Sequence, residues 1–241
     1  MPKTFDHILL LGRPASGKSE LIDFLEKTSK EQRQERFHIG NFEAIDDFVW
    51  IWEKFEEDNI WEKLGQKRLY SFRTGNDYGL TDGRLFDFMI ERFNLETAKR
   101  YLSRPEFYND HTLFIEFARG TGHGYEYSLN QLSPEILKRA AIMYLSVTFE
   151  ESWRKNVARY QEKLKHSILA HMVPRETMDM FYLEDDWAQV SANNEYGYLT
   201  ANSVKVPFVT VNNMPEVIKP EEFDERYFPA FQKLMEIYSD K

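Results

Sequence analysis

Apolar residues fall into two rhythms along this chain. Ile8-Leu9-Leu10-Leu11 is a short, unalternating run that stops at Gly12, the pattern of a strand buried on both faces. Thr112–Phe117, Ala141–Val147 and Val206–Val211 repeat it, the first interrupted by one acid, Glu116. Arg36–Ile39 is a further short strand candidate, and Leu69–Phe72 reads as a strand or an extended loop. Between these runs the apolar positions recur at helical spacing. They are Leu21, Ile22 and Leu25 in Ser19–Thr28, and Ile45, Phe48, Ile51, Trp52 and Phe55 in Ala44–Asp58. Phe86, Met89, Ile90, Phe93 and Tyr101 give a third helix over Leu85–Leu102, which Pro105 stops. Ser133-Pro134 reads as a helix start, a capping serine with proline in the first turn. Two more helices are expected from about Phe149 to Leu169 and from Phe223 to Tyr238. Strands alternating with helices predict an α/β chain with a three-layer α/β/α fold, its mostly parallel sheet of about five strands covered on both faces.

Composition narrows the function classes. At 241 residues the chain suits one domain, 1–241, with 150–202 as a lid-like region. A formal net charge of −9 argues against a general affinity for nucleic-acid backbones, while a small anionic ligand needs only a few local donors. The absence of cysteine excludes disulfides and thiolate zinc sites. No apolar run reaches membrane-spanning length, and the first residues lack a long apolar segment, so the expectation is a cytoplasmic protein with no membrane partner.

The chemistry is concentrated where the first strand ends. Gly12-Arg13-Pro14-Ala15-Ser16-Gly17-Lys18-Ser19 sits between a buried strand and an amphipathic helix. Gly12 and Gly17 let the backbone curl so that successive N–H groups point at one phosphate. Lys18 sets a cation against the β- and γ-phosphates, and the Ser19 hydroxyl is a hard oxygen ligand suited to Mg²⁺. The helix that follows adds its positive end. The expected ligand is a nucleoside triphosphate, ATP with Mg²⁺. Phosphoryl transfer also needs a carboxylate near the metal, and Glu116, at the end of its own apolar strand, is the best candidate. An acid at that position is otherwise explained by the strand emerging into solvent.

This loop, the later strand ending Ile115-Glu116-Phe117-Ala118-Arg119, and the strand–helix unit Tyr144-Leu145-Ser146-Val147 to Glu150–Lys155 resemble the P-loop kinases. Within them the chain is most similar to the nucleoside and nucleoside-monophosphate kinases. The resemblance implies that Lys18 and Ser19 hold phosphate and Mg²⁺, that Glu116 holds metal-bound water, and that Arg119 reaches a substrate phosphate. It implies a phosphotransferase acting on a small acceptor, a nucleoside or nucleotide among the candidates. Asp46 and Asp47 fall where related kinases place an acid against the acceptor hydroxyl, though acids are equally at home at a helix N-terminus. The chain departs from the Asp-Gly-Phe-Pro-Arg of monophosphate kinases and the Glu-Arg-Ser of deoxynucleoside kinases, which leaves the acceptor open. The rival class is a P-loop ATPase or nucleotide-dependent switch controlling a partner protein.

Other features weigh less. Arg154, Arg159 and Arg175 are lid candidates, but Arg154 and Arg159 lie roughly 140° apart around one helix. Arg159 shares its side with Lys155, Glu151 and Glu162, which reads as a solvated face. Gly120–Gly124 lacks dinucleotide-binding spacing and is instead a glycine loop beside Glu116. His166 and His171 are poorly spaced for a metal. Trp50, Trp52 and Trp61 are better explained by packing than by base stacking.

Overall fold

The computed structural model describes residues 4–75, 77–120, 122–165 and 172–240. Its central sheet has six strands in the order β2-β5-β1-β6-β8-β7: β1 His7–Leu11, β2 Asn41–Asp46, β5 His111–Phe117, β6 Ala140–Ser146, β7 Tyr196–Ala201 and β8 Val204–Asn212. The first five in spatial order are parallel, and β7 runs antiparallel to β8 at one edge. A separate hairpin pairs β3 Ser71–Thr74 with β4 Asp77–Leu80. The helices are α1 Lys18–Lys27, α2 Lys30–Gln32, α3 Asp47–Lys63, α4 Arg84–Thr97, α5 Tyr125–Gln131, α6 Pro134–Arg139, α7 Phe149–Leu164, α8 Arg175–Phe181, α9 Trp187–Val190 and α10 Pro220–Ser239.

Alternation along the strands divides the core between two faces. Ile8 and Leu10 join Phe114, Met143 and Leu145 beneath Leu21 and Leu25 of α1 and Phe223, Tyr227 and Phe231 of α10. Leu9 and Leu11 join Ile115, Phe117 and Ile142 beneath Ile90 and Phe93 of α4, Leu129 of α5 and Trp187 of α9. The three layers expected from the sequence are therefore present. A third apolar cluster brings Ile51 and Phe55 of α3 together with Phe86 and Met89 of α4 and Met178, Phe181 and Tyr182.

Several boundaries differ from the expectation. Arg33–Phe37 is π-helical and His38 is left-handed (φ 58°), so the expected strand at Arg36–Ile39 is instead Asn41–Asp46. The expected helix at Ala44 accordingly starts at Asp47. As an edge strand β2 is mostly half-exposed, and its polar residues hide the strand pattern. β7 leaves no clear strand pattern in the sequence for a related reason. Its turn to β8 uses Asn202 and Ser203, both at positive φ (44° and 63°), without the glycine that marks such turns. Helix α4 ends at Thr97 and continues as a π-helical segment, Ala98–Leu102. The region 150–202 contains α7, α8, α9 and the sheet strand β7. His166 and His171 lie outside the described residues.

Two acids of α3 fasten the β3–β4 hairpin: Glu62, which pairs with Arg73 at 2.6 Å, and the buried Asp58. The Asp58 carboxylate accepts hydrogen bonds from the N–H groups of Leu69, Tyr70 and Ser71 and from the Ser71 hydroxyl, all at 2.8–2.9 Å. Burial works against its charge, but these donors outweigh burial and hold the carboxyl below its ordinary value of 3.8. The stabilisation is complete above that value and is lost as pH falls through the lower folded one. Asp58→Ala should therefore reduce unfolding free energy by roughly 2–3 kcal/mol at neutral pH in urea titrations. The gap between variant and parent should narrow below about pH 4; an unchanged midpoint would mean that the hairpin is held otherwise.

Candidate active site

The phosphate loop leaves β1, the middle of the parallel strands, and enters α1. Gly12 (φ 146°) and Gly17 (φ 105°) both adopt backbone that side chains resist. A Cβ at Gly12 would lie 2.6 Å from the Leu145 carbonyl oxygen, and one at Gly17 would lie 2.2 Å from the Asn213 amide nitrogen. The turn is further fixed from outside. Ser152 donates to the Pro14 carbonyl at 2.6 Å, and the Asn213 amide donates to the Ser16 carbonyl at 2.7 Å. Arg226 in turn donates to the Asn213 side-chain oxygen at 2.9 Å. The Arg13 side chain leaves the loop to pair with Asp185 at 2.6 Å and to donate to the Tyr182 carbonyl at 3.0 Å. Within the loop Arg13 thus contributes backbone, while its side chain holds the segment from Tyr182 to Asp185 in place.

Lys18 is buried. Its ammonium donates to the carbonyls of Gly12 (3.0 Å) and Arg13 (3.1 Å), and lies 3.9 Å from Glu116. Glu116, near the end of β5, is registered with Leu10 on β1 and Asp46 on β2, so both acids sit at C-terminal strand ends on adjacent strands. Asp46 also caps α3, accepting from the Phe48 N–H at 2.9 Å. Both readings of Asp46, helix cap and site acid, are therefore compatible with one position. Burial pushes the Glu116 carboxyl up; Lys18 opposes the shift, and Asp46 and Asp47 add to it. The Asp46 carboxyl is likewise raised, by burial and then by Asp47.

Lys18, Ser19, Asp46 and Glu116 line one cavity of about 140 Å³. Pro14 and Ala15 of the loop and Phe48, Ile51, Met172, Val173 and Tyr182 complete much of its wall. The Ser19 hydroxyl and the carboxyl groups of Asp46 and Glu116 supply hard oxygens to this cavity, beside the Lys18 ammonium. These hard oxygens fit Mg²⁺, which takes one or two carboxylates and fills its remaining positions with water and phosphate oxygens.

Arg119 is placed differently from its expected role. Its side chain is 0% exposed and does not line the cavity. It pairs with Asp47 at 2.6 Å, donates to the carbonyls of Ala118 and Phe86 and to the Ser128 hydroxyl, and lies over the rings of Phe86 and Phe117. In this conformation it is not positioned to meet a substrate phosphate. The acid beside it, Asp47, is committed to it.

Parallel strands in the order β2-β5-β1-β6-β8, with a glycine loop joining the central strand to its helix over a cavity at the strands' C-terminal ends, define the architecture. The fold is a three-layer α/β/α arrangement with a glycine loop after its central parallel strand. No protein-family model and no curated protein matches the sequence. Among solved structures the chain is similar to a gluconokinase from Sinorhizobium meliloti 1021 (13% identity, TM-score 0.42, 99% of each chain covered). It is also similar to a shikimate kinase from Acinetobacter baumannii crystallised with shikimate (15% identity, TM-score 0.42, 99% of this chain and 96% of that one). A sugar kinase from Janibacter sp. HTCC2649 aligns at 12% identity and TM-score 0.40, over 97% of this chain and 95% of that one.

The lid candidates separate cleanly. Arg159 lines the cavity, 3.8 Å from Glu20, rather than lying on a purely solvated face. Arg154 is bound by Glu151 and Glu216, and Arg175 by Asp179, with its guanidinium over Phe149 and Trp153. Gly120 and Gly124 serve close packing: a Cβ would lie 1.9 Å from the Phe181 carbonyl oxygen at the first and 2.4 Å from the Asp186 carboxylate at the second. Trp50 and Trp52 pack against Phe93 and Phe55.

Sequence reasoning missed Asn213, Ser152, Asn156 and Tyr182. The one available signal was the polar pair Asn212-Asn213 at the end of an apolar strand, where sites of parallel sheets form. Asn213→Ala removes one buried bond to the loop. If the loop holds the expected ATP, the substitution should weaken its binding about tenfold, the equivalent of ~1.4 kcal/mol, in calorimetric titration. Unchanged affinity would show that the loop keeps its shape without this tie.

Proposed function

We propose that this chain is an ATP-dependent phosphotransferase acting on the hydroxyl group of a small acceptor. The observation that carries this reading is one cavity joining the phosphate loop, through Lys18 and Ser19, to the carboxylates of Asp46 and Glu116. A loop for triphosphate alone explains the first pair; the buried Glu116 and the half-buried Asp46 call for a metal and for an acceptor proton.

In the proposed reaction the loop N–H groups and the start of α1 hold the β- and γ-phosphates. Lys18 exchanges its bonds to the Gly12 and Arg13 carbonyls for phosphate oxygens, and neutralises charge that grows on the transferred group. Ser19, and Glu116 through water, would hold Mg²⁺, which would supply neutralisation of the triphosphate's charge. The acceptor oxygen forms a bond to the γ-phosphorus as the bond from that phosphorus to the β–γ bridging oxygen breaks. ADP leaves with the electron pair. Asp46 orients the acceptor hydroxyl and takes its proton, which then passes to water; the raised basicity of its carboxylate suits that task at neutral pH.

Lys18→Ala and Glu116→Gln should each lower kcat/KM by about 10²-fold or more, with Lys18→Ala also weakening ATP binding. The assay is ADP release with Mg-ATP across a broad panel of hydroxyl acceptors. Release at the same rate with and without every acceptor would replace this reading by a hydrolase or switch.

A further inference from the structure

We infer that Asn156 is a positioning residue for the acceptor: it fixes the Met172–Val173 wall of the cavity and, through that wall, the choice of acceptor. The inference rests on the phosphotransferase reading above and adds how that site selects its second substrate.

One face of α7 runs along the site. Ser152, Asn156 and Arg159 stand at i, i+4 and i+7, so they share a side of the helix. Ser152 grips the Pro14 carbonyl of the loop, and Asn156 and Arg159 line the cavity. Asparagine is a poor residue for the middle of a helix, because its amide competes for main-chain groups. Here the amide is used at a distance. It donates to the Val173 carbonyl at 2.7 Å and accepts from the Val173 N–H at 3.2 Å. A neighbouring strand would offer the same pair of bonds; a single buried side chain supplies them instead.

The adjoining backbone is held in the same way. The Met172 N–H donates at 3.2 Å to the carboxylate of Asp77, buried in β4, and Pro174 has no N–H to satisfy. The Leu80 N–H donates to the Thr177 hydroxyl at 3.3 Å, so the hairpin also grips α8. The β3–β4 hairpin, itself fastened to α3, therefore carries part of the cavity wall.

This wall bears on the acceptor through its apolar contacts. Met172 and Val173 line the cavity, and Val173 packs on the cluster that holds Ile51 and Tyr182. Phe48 and Ile51 lie in the first turns of α3, directly after Asp46, which orients the acceptor hydroxyl in the proposed reaction. An acceptor held at Asp46 thus meets Phe48, Ile51 and Val173. Such a pocket discriminates by shape, and one methylene more or less is worth about 10–200-fold in kcat/KM. The discrimination requires a wall that stays in place, since a displacement of about 1 Å costs on the order of 10²-fold.

The test compares Asn156→Ala with Asp77→Ala, which removes the second anchor from the hairpin. Parent and variants are assayed with Mg-ATP and a series of hydroxyl acceptors differing by one methylene. Both variants should raise KM for the best acceptor about tenfold and compress the preference between adjacent members of the series about tenfold. ATP affinity, measured by calorimetry without acceptor, should stay at the parent value. Deuterium exchange at the Val173 N–H should quicken in Asn156→Ala, a readout independent of turnover. Val173→Ala leaves both anchors in place and trims the wall, so it should shift the preference towards the longer acceptor. An ATP affinity that falls in step with acceptor affinity, or a preference that survives these substitutions, overturns the inference. So does an effect confined to Asn156→Ala, which would mark direct contact between the amide and the substrate. In each of these cases the phosphotransferase reading stands. ADP release by the parent at the same rate with and without every acceptor overturns both.

Discussion

A guanidinium with no exposed surface has to be answered by the protein around it, and Arg119 organises this site from that requirement. Its partners come from four places: Asp47 at the start of α3, the Phe86 carbonyl in α4, Ser128 in α5, and the chain just beyond β5. Removing either member of such a buried pair strands a charge, at a typical cost of about 3–5 kcal/mol. The pair therefore sets where α3 begins relative to β5. Because Asp46 precedes Asp47 and Glu116 lies three residues before Arg119, it also sets where the two site acids meet.

The loop side depends on a different tie. Arg13 reaches out to Asp185 and the Tyr182 carbonyl, while Gly120 lets the Phe181 carbonyl come close and the Asp186 carboxylate accepts the Tyr125 and Glu126 N–H groups. The stretch from Phe181 to Asp186 thus straps the ends of β1 and β5 together and places Tyr182 in the cavity wall. Asn213 and Ser152 brace the loop from the opposite side. The phosphate loop is held by parts of the chain more than a hundred residues away.

That distance explains what could be read in the sequence. The loop, β5 with Glu116, β6 and α10 are legible because each is a local pattern: a run of buried residues, a glycine spacing, a helical period. β2 and β7 are sheet edges whose half-exposed residues blur that pattern, and the turn before β8 lacks its usual glycine. The place of Arg119 after a strand suggests a side chain that reaches a substrate phosphate, whereas the guanidinium is buried against Asp47. Its direction was not legible, because only the assembled fold supplies a buried aspartate and two aromatic faces inward of it. Tyr182 has no local signature and Asn213 only its place after an apolar strand, since their roles exist only once β8 and α8 are docked.

The placement of β2 at the rim of the sheet has an evolutionary consequence. The glycine loop with Lys18 follows β1, which is hydrogen-bonded on both sides, where any shift would disturb two ladders. Asp46 ends a strand with one neighbour only, and the helix that follows carries Phe48 and Ile51 into the cavity. Substitutions along that outer strand and the first turn of α3 can remodel one half of the cavity while the glycine-loop half stays intact. Under the proposed reading, a lineage built on this arrangement would be free to exchange one acceptor for another without having to reinvent its use of ATP.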